Sequence, residues 1–136
     1  MSYLLDTVIV SELRKRQAHP GLLRWLGGKE HRSLSLSTVT IGEIERGIEQ
    51  IRTADPGFAQ ALGSWLQQLI NDYEDRLLPI DVVVARRWGR LSARLGRAGT
   101  DLLIAATALE HGLSIVTRNV GRFEPTGVAI ENPFVG

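Results

Sequence analysis

The stretch from residue 101 to residue 119, DLLIAATALEHGLSIVTRN, decides the fold. Its first part, Leu102 to Glu110, predicts a helix rich in small residues. Asp101 opens that helix and His111-Gly112 ends it. Leu113 to Thr117 (LSIVT) is apolar without alternation, which predicts a strand buried on both faces. A helix feeding such a strand is half of a parallel α/β unit. Ala105, Ala106 and Ala108 let the helix approach the sheet closely and fix the carboxylate at its start.

The same alternation extends towards the N-terminus. Tyr3-Leu4-Leu5 predicts a buried strand ending at Asp6-Thr7, followed by a helix from Val8 to Arg16. His19-Pro20-Gly21 breaks the chain, and Leu22 to Leu26 predicts a short helix closed by Gly27-Gly28. Ser33 to Ser37 (SLSLS) alternates with period two and predicts a second strand. Ile41, Ile44, Ile48 and Ile51 then recur at helical spacing, with Ser37, Thr38 or Thr40 as cap. Asp55-Pro56 starts a helix with Phe58, Leu62, Trp65, Leu66 and Leu69 on its apolar face. Arg76 to Ile80 predicts a third strand. Asp81 caps a helix from Val82 to Leu95 with Val83, Trp88, Leu91 and Leu95 inward. Beyond residue 119, Gly121 and Pro125 mark loops, and Val128 to Ile130 predicts a final edge strand. The pattern predicts an α/β fold: a central, mainly parallel sheet of four to five short strands with helices on both faces.

The chain has 136 residues, 43% hydrophobic and 23% charged, which suits one compact domain over residues 1–136. Absence of cysteine excludes disulfides, thiolate nucleophiles and Cys-rich zinc sites. MSYLLDTVIV has neither the basic start nor the long apolar run of a signal peptide, and no stretch approaches a membrane span. The expectation is a soluble, cytoplasmic protein with no membrane contact. Net charge is +1, from 16 basic and 15 acidic residues, so global charge gives no sign of nucleic-acid binding. Arg86, Arg87, Arg90, Arg94 and Arg97 form a local basic stripe, which reads equally as a solvated helix face. Trp25, Trp65 and Trp88 lie on predicted amphipathic helices, as core residues or as the wall of a groove for a partner.

Four polar positions share one kind of location. Asp6 follows the first strand, Glu43 lies on the helix after the second, Asp101 opens a helix and Asn119 follows the fourth strand. In an open parallel sheet the C-terminal strand ends share one edge, where ligands bind. Carboxylates gathered there repel one another unless a cation neutralises them. Oxygen-only ligands select hard cations such as Mg²⁺ or Mn²⁺, which activate water for in-line attack on a phosphodiester. Asp6 and Asp101 are the expected metal ligands, and Thr7 and Thr117 either hydrogen-bond to the carboxylates and orient them or are ordinary strand-end hydroxyls. Arg118 is expected at the substrate. Each acid also has a plain reading: Asp6 as a helix N-cap, Glu43 on a solvated face, Asp101 as an acid favoured by the helix dipole. Glu12, Glu45 and Glu49 are assigned to solvent, and His19, His31 and His111 to the surface. Dinucleotide-binding and P-loop enzymes lack support, because neither G-x-G-x-x-G after the first strand nor G-K-[ST] occurs. Val8 stands where the common D-x-D pattern of aspartyl-phosphate enzymes would place a second acid.

LLDTVIVSEL (residues 4–13), TIGEIERGI (40–48), DLLIAATALEHGLSIVTRN (101–119) and ENPF (131–134) together resemble the PIN domain, most of all the VapC and FitB toxins. The resemblance spans nearly the whole chain. It implies a Rossmann-like sheet with Asp6, Glu43 and Asp101 as the acid cluster and Asn119 at a fourth position. It further implies an RNA endonuclease of a type II toxin–antitoxin system, silenced by a cognate antitoxin. A homodimer, DNA contact only through the antitoxin, and products with 5′-phosphate and 3′-hydroxyl ends belong to the same implication. Two departures stand out. Arg122 replaces an Asp frequent in relatives, removing a possible further acid, and the loop Gly96 to Thr100 is short. Those departures leave open a catalytically weak or inactive module that binds an antitoxin or RNA.

Overall fold

Strand and helix alternate in the computed structural model, which describes residues 1–135. The order is β1 (Tyr3–Leu5), α1 (Thr7–Arg14), α2 (Pro20–Gly27), β2 (Leu34–Ser37), α3 (Thr38–Ile51), α4 (Pro56–Asp72), β3 (Leu77–Leu78), α5 (Val82–Leu95), α6 (Thr100–His111), β4 (Ser114–Val116), α7 (Val120–Phe123) and β5 (Ile130–Glu131). The sheet runs β3-β2-β1-β4-β5 and every pairing is parallel. Leu4 pairs in register with Ser35 on one side and Ile115 on the other. From β1 the chain winds outward through β2 and β3, then returns to place β4 against the other flank of β1. The order therefore reverses between β1 and β4, where a crevice opens at their C-terminal ends.

Both faces of the sheet are covered, which explains the unbroken apolar runs. On one face Leu4 and Ile115 pack with Val84, Leu91, Ile104, Ala105, Ala108 and Phe123 from α5, α6 and α7. On the other, Tyr3, Leu5, Leu36 and Val116 pack with Ile9, Val10, Leu22 and Tyr73. A smaller cluster of Ile48, Ala59 and Leu66 joins α3 to α4. Ala105, Ala106 and Ala108 are fully buried, so α6 does lie close against the sheet. Trp25, Trp65 and Trp88 are half-buried against these clusters.

Several local expectations shift. Val83 is 56% exposed and Val84 takes the core position. The third strand shrinks to two residues, because Glu74–Arg76 forms a 3₁₀ turn and Pro79 has no N–H to offer the sheet. The Arg76 side chain instead donates to the Leu34 carbonyl at 2.8 Å. Phe58 is 44% exposed under the Arg14 guanidinium. The last strand starts at Ile130, three residues after the left-handed Gly127. Glu12 is not a solvent residue: it is 8% exposed and accepts from Lys15 Nζ and the His19 backbone N–H. The Lys15 ammonium holds its carboxyl below the usual glutamate range. Among the described residues, no helix is long and apolar enough to cross a membrane.

Candidate active site

β1 ends at Leu5 and delivers Asp6 directly into the crevice. Asp6 is 6% exposed and serves α1 as well, accepting from Thr7 N at 2.8 Å through Oδ1. The capping reading of this residue is therefore observed, and the same carboxylate also lines the crevice. Thr117, the residue after β4, donates its hydroxyl to Asp6 Oδ2 at 2.8 Å and accepts from Asn119 N at 2.9 Å. One buried hydroxyl thus ties the fourth strand's exit to the first acid. Burial raises the Asp6 pKa above its ordinary value, the Thr117 and Thr7 hydrogen bonds oppose this, and the charges of Glu43 and Asp101 add to the rise.

Glu43 projects from the second turn of α3. Thr7 Oγ1 donates to its Oε1 at 2.6 Å and Thr100 Oγ1 to its Oε2 at 2.9 Å. Thr7 Oγ1 also lies 2.9 Å from Thr40 Oγ1. Two hydroxyls from two other helices therefore fix both oxygens of this carboxylate. Asp101 lies in the first turn of α6 and is 9% exposed. Its Oδ2 pairs with Arg97, and Arg122 approaches the same oxygen at 3.9 Å. Arg97 also donates to the Arg122 carbonyl at 2.7 Å, which joins the short loop to α7.

Asp6, Thr7, Glu43, Asp101 and Asn119 all line one pocket of about 240 Å³, together with Val8, Thr100, Ile104, Arg122 and Phe123. The expected convergence of the four polar positions is thus observed. Glu43 also borders two neighbouring hollows. One of about 470 Å³ runs past Gly42, Gly47 and Leu103, and one of about 270 Å³ runs past Phe58, Leu62 and Trp65. Arg118 does not line the acid pocket. Its guanidinium stacks over Phe134 at 3.9 Å and lies 3.9 Å from Glu12.

The acids and threonines lining the pocket offer only oxygen, a set that suits Mg²⁺ or Mn²⁺ over softer ions, and the Arg122 guanidinium lines it beside them. Burial first, and the neighbouring Glu43 and Asp101 second, disfavour charge on Asp6, a cost that a bound cation would offset. Asp101 Oδ1 accepts no hydrogen bond among the described residues, so one oxygen of that carboxylate is free to bind. Yet among the described residues no group of three such side chains is already gathered at ligand distance. Glu43 is held by its threonines and Asp101 by Arg97.

Thr40, Thr100 and Arg97 were not assigned to the site from the sequence, and Arg122 entered only as the residue standing where relatives have an acid. Arg97 lies in the loop before α6, so helical spacing gives no signal for its pairing with Asp101. Thr100 is adjacent to Asp101. Thr40 lies three before Glu43 on the same helix face, but nothing local ties it to Thr7.

Comparison with known proteins bears on the fold and family. The PIN domain model matches residues 3–125. The plasmid stability protein StbB of Pseudomonas syringae pv. tomato is 31% identical, over 96% of this chain and 97% of its own. The VapC ribonuclease Y4jK of Sinorhizobium fredii is 30% identical over 96% of each chain. Toxin FitB of Neisseria gonorrhoeae is 29% identical over 96% of this chain and 97% of its own. Among solved structures, FitAB bound to the IR36 DNA fragment superposes with a TM-score of 0.86 at 27% identity, covering 98% of this chain and 96% of the other. FitAcB from Neisseria gonorrhoeae gives 0.84 at 29% identity, covering 97% and 98%. With its parallel sheet, its acids at the switch point and these likenesses along nearly its whole length, the chain belongs to the PIN-domain family.

Proposed function

We propose that this protein is the toxin of a toxin–antitoxin pair: an endoribonuclease, dependent on Mg²⁺ or Mn²⁺, that hydrolyses RNA phosphodiester bonds. One observation carries the reading: Asp6, Glu43, Asp101 and Asn119 meet in a single pocket at the sheet's switch point. The ribonuclease and toxin names of the relatives support it.

Asp6 and Asp101 would hold the ion. Bound there, a divalent cation supplies Lewis acidity, lowering the pKa of water and neutralising phosphate charge. Glu43, fixed through both oxygens, orients the attacking water. Thr117 and Thr7 keep the Asp6 and Glu43 carboxylates aimed into the pocket. Asn119, exposed on the rim, donates its side-chain amide to a phosphate oxygen. Arg122 and Arg97 face the developing negative charge, and Arg118, half-exposed beside Asn119, extends the positive rim as a substrate contact.

The whole chain, residues 1–136, is read as one PIN domain acting in the cytoplasm. Its protein partners are a cognate antitoxin and a second copy of itself, with DNA reached only through the antitoxin. A second reading, a weak or inactive module that binds an antitoxin or RNA, draws on the two guanidiniums at Asp101.

Cleavage of a mixed RNA pool by antitoxin-free protein separates the two. Mg²⁺- or Mn²⁺-dependent cleavage, abolished by EDTA and lost in folded Asp6→Ala and Asp101→Asn, is the expected result. Equal background from all three proteins on total tRNA and rRNA, with no Mn²⁺ binding by calorimetry, would establish the inactive module instead.

A further inference from the structure

α5 carries arginines at 86, 90 and 94, one helical turn apart, and Arg97 follows just past its end. Arg86, Arg90 and Arg94 are exposed, and none forms an ion pair among the described residues. Arg87, one residue off this line, is the one neutralised, by Glu110 at 2.8 Å. The row also has a direction. At its far end Arg86 and Arg90 border a shallow hollow of about 190 Å³ with Val82 and Val83, which are 74% and 56% exposed. At its near end Arg94 reaches the Pro125 carbonyl at 3.5 Å, and Arg97 pairs with Asp101, an acid that lines the pocket. Along the chain the exposed row thus runs from the valine hollow towards Arg97, which lies beyond the helix end and already pairs with Asp101.

A lone basic helix face is ordinary. Three unpaired guanidiniums in register, followed by a fourth that meets a pocket acid, are a different arrangement, because a polyanion held along them lies beside the approach to the acids. Successive arginines stand about 6 Å apart along the axis, on the scale of successive phosphates in an extended single strand. The exposed valines beside them offer an apolar rest for a base.

We propose that the Arg86–Arg90–Arg94 face of α5 is the track on which single-stranded RNA binds through its phosphates, feeding the strand past Arg97 into the pocket. The proposal rests on the ribonuclease reading for its choice of polyanion. It predicts binding that is insensitive to sequence and steeply salt-dependent.

The test is fluorescence anisotropy in EDTA, where no cleavage occurs, with labelled oligouridylate and oligoadenylate across a salt series. The triple variant Arg86→Gln/Arg90→Gln/Arg94→Gln is compared with Arg16→Gln/Arg24→Gln/Arg32→Gln, which removes the same charge elsewhere. Three lost phosphate contacts should lower the slope of log K against log salt by about 2, from roughly 0.7 per contact, and weaken binding roughly 100-fold at 0.1 M salt. Both RNAs should lose equally, and the control triple should keep the parent slope.

Equal losses in the two triples would overturn the proposal in favour of net charge alone, as would a parent slope in the α5 triple. Polyglutamate displacing RNA from the parent protein at equal charge concentration would assign the face to an acidic peptide instead. The ribonuclease reading fails separately. A protein that binds RNA through α5 in EDTA yet cleaves none with Mg²⁺ keeps the track and loses the enzyme.

Discussion

Asp6 has two roles whose demands conflict. As the cap of α1 it is an ordinary acceptor, but as a buried acid beside two others it carries a raised pKa. The folded state then binds its proton more tightly than the unfolded chain does. Stability is highest below the ordinary aspartate value and falls as pH rises towards the folded value, after which the loss is complete. At neutral pH the ionised carboxylate is therefore a destabilising feature kept for the site. Asp6→Asn should be more stable than the parent at pH 7, with a gap that narrows towards pH 4, while losing cleavage. Urea melts at several pH values check this, and a gap of constant size would sink it. Thr117→Val removes the hydrogen bond that restrains the shift. It should move the acid limb of the pH–rate profile upward and lower activity about 10- to 100-fold, with the fold intact by circular dichroism. An unmoved acid limb would make Thr117 a packing residue only.

At the scale of elements, α6 was legible before any coordinates because its signals agreed: a small-residue run, an acid at its start and Gly112 at its end. Gly112 adopts the left-handed conformation expected of a helix terminator. α5 was legible in its ends but not in its face. Val82, Val83 and Val84 offer three candidates, and only packing on α6 selects Val84, which lies seven residues before Leu91 on the buried stripe. Glu12 was illegible for another reason: its Lys15 partner is local, but its burial comes from the turn at His19 and from Arg118 after β4, contacts that spacing alone does not give. The four site positions could be proposed from chain order because strand ends share an edge. The threonine pairing across α1, α3 and α6 depends on helix rotation, which spacing alone does not give. The start of α6 makes a further prediction. A Cβ on Gly99 would sit 2.6 Å from Asp101 Oδ1, and that oxygen is the movable end of a side chain. Gly99→Ala should therefore cost only about 1 kcal/mol of stability, the scale of an N-cap change. Displacing the carboxylate should still lower cleavage about 100-fold. Wild-type kcat/KM in this variant would show that Asp101 reaches the reaction by another rotamer.

Over the whole molecule, the last described residues close the structure back onto its beginning. Phe134 packs edge-on to His19 with ring centres 4.8 Å apart, and on its other side takes the Arg118 guanidinium at 3.9 Å. Arg118 in turn faces Glu12, and Glu12 accepts from the backbone of His19. The segment after β5, the exit of β4 and the turn between α1 and α2 are thus joined in one ring of contacts next to Asn119. Gly21 is where this ring is tightest. A Cβ there would meet the Pro133 carbonyl oxygen at 2.7 Å, and that oxygen belongs to the backbone and cannot swing aside as a side chain would. Two effects oppose each other in Gly21→Ala. Alanine favours the first turn of α2 by up to about 1 kcal/mol, whereas the clash costs about 1–3 kcal/mol if the C-terminal segment is held in place. The expected outcome is a net loss of about 1–2 kcal/mol, read as a lower urea midpoint with an unchanged slope. A stabilised variant would mean that residues 131–134 yield freely, so that the ring adds nothing to the fold and does not brace the rim carrying Asn119.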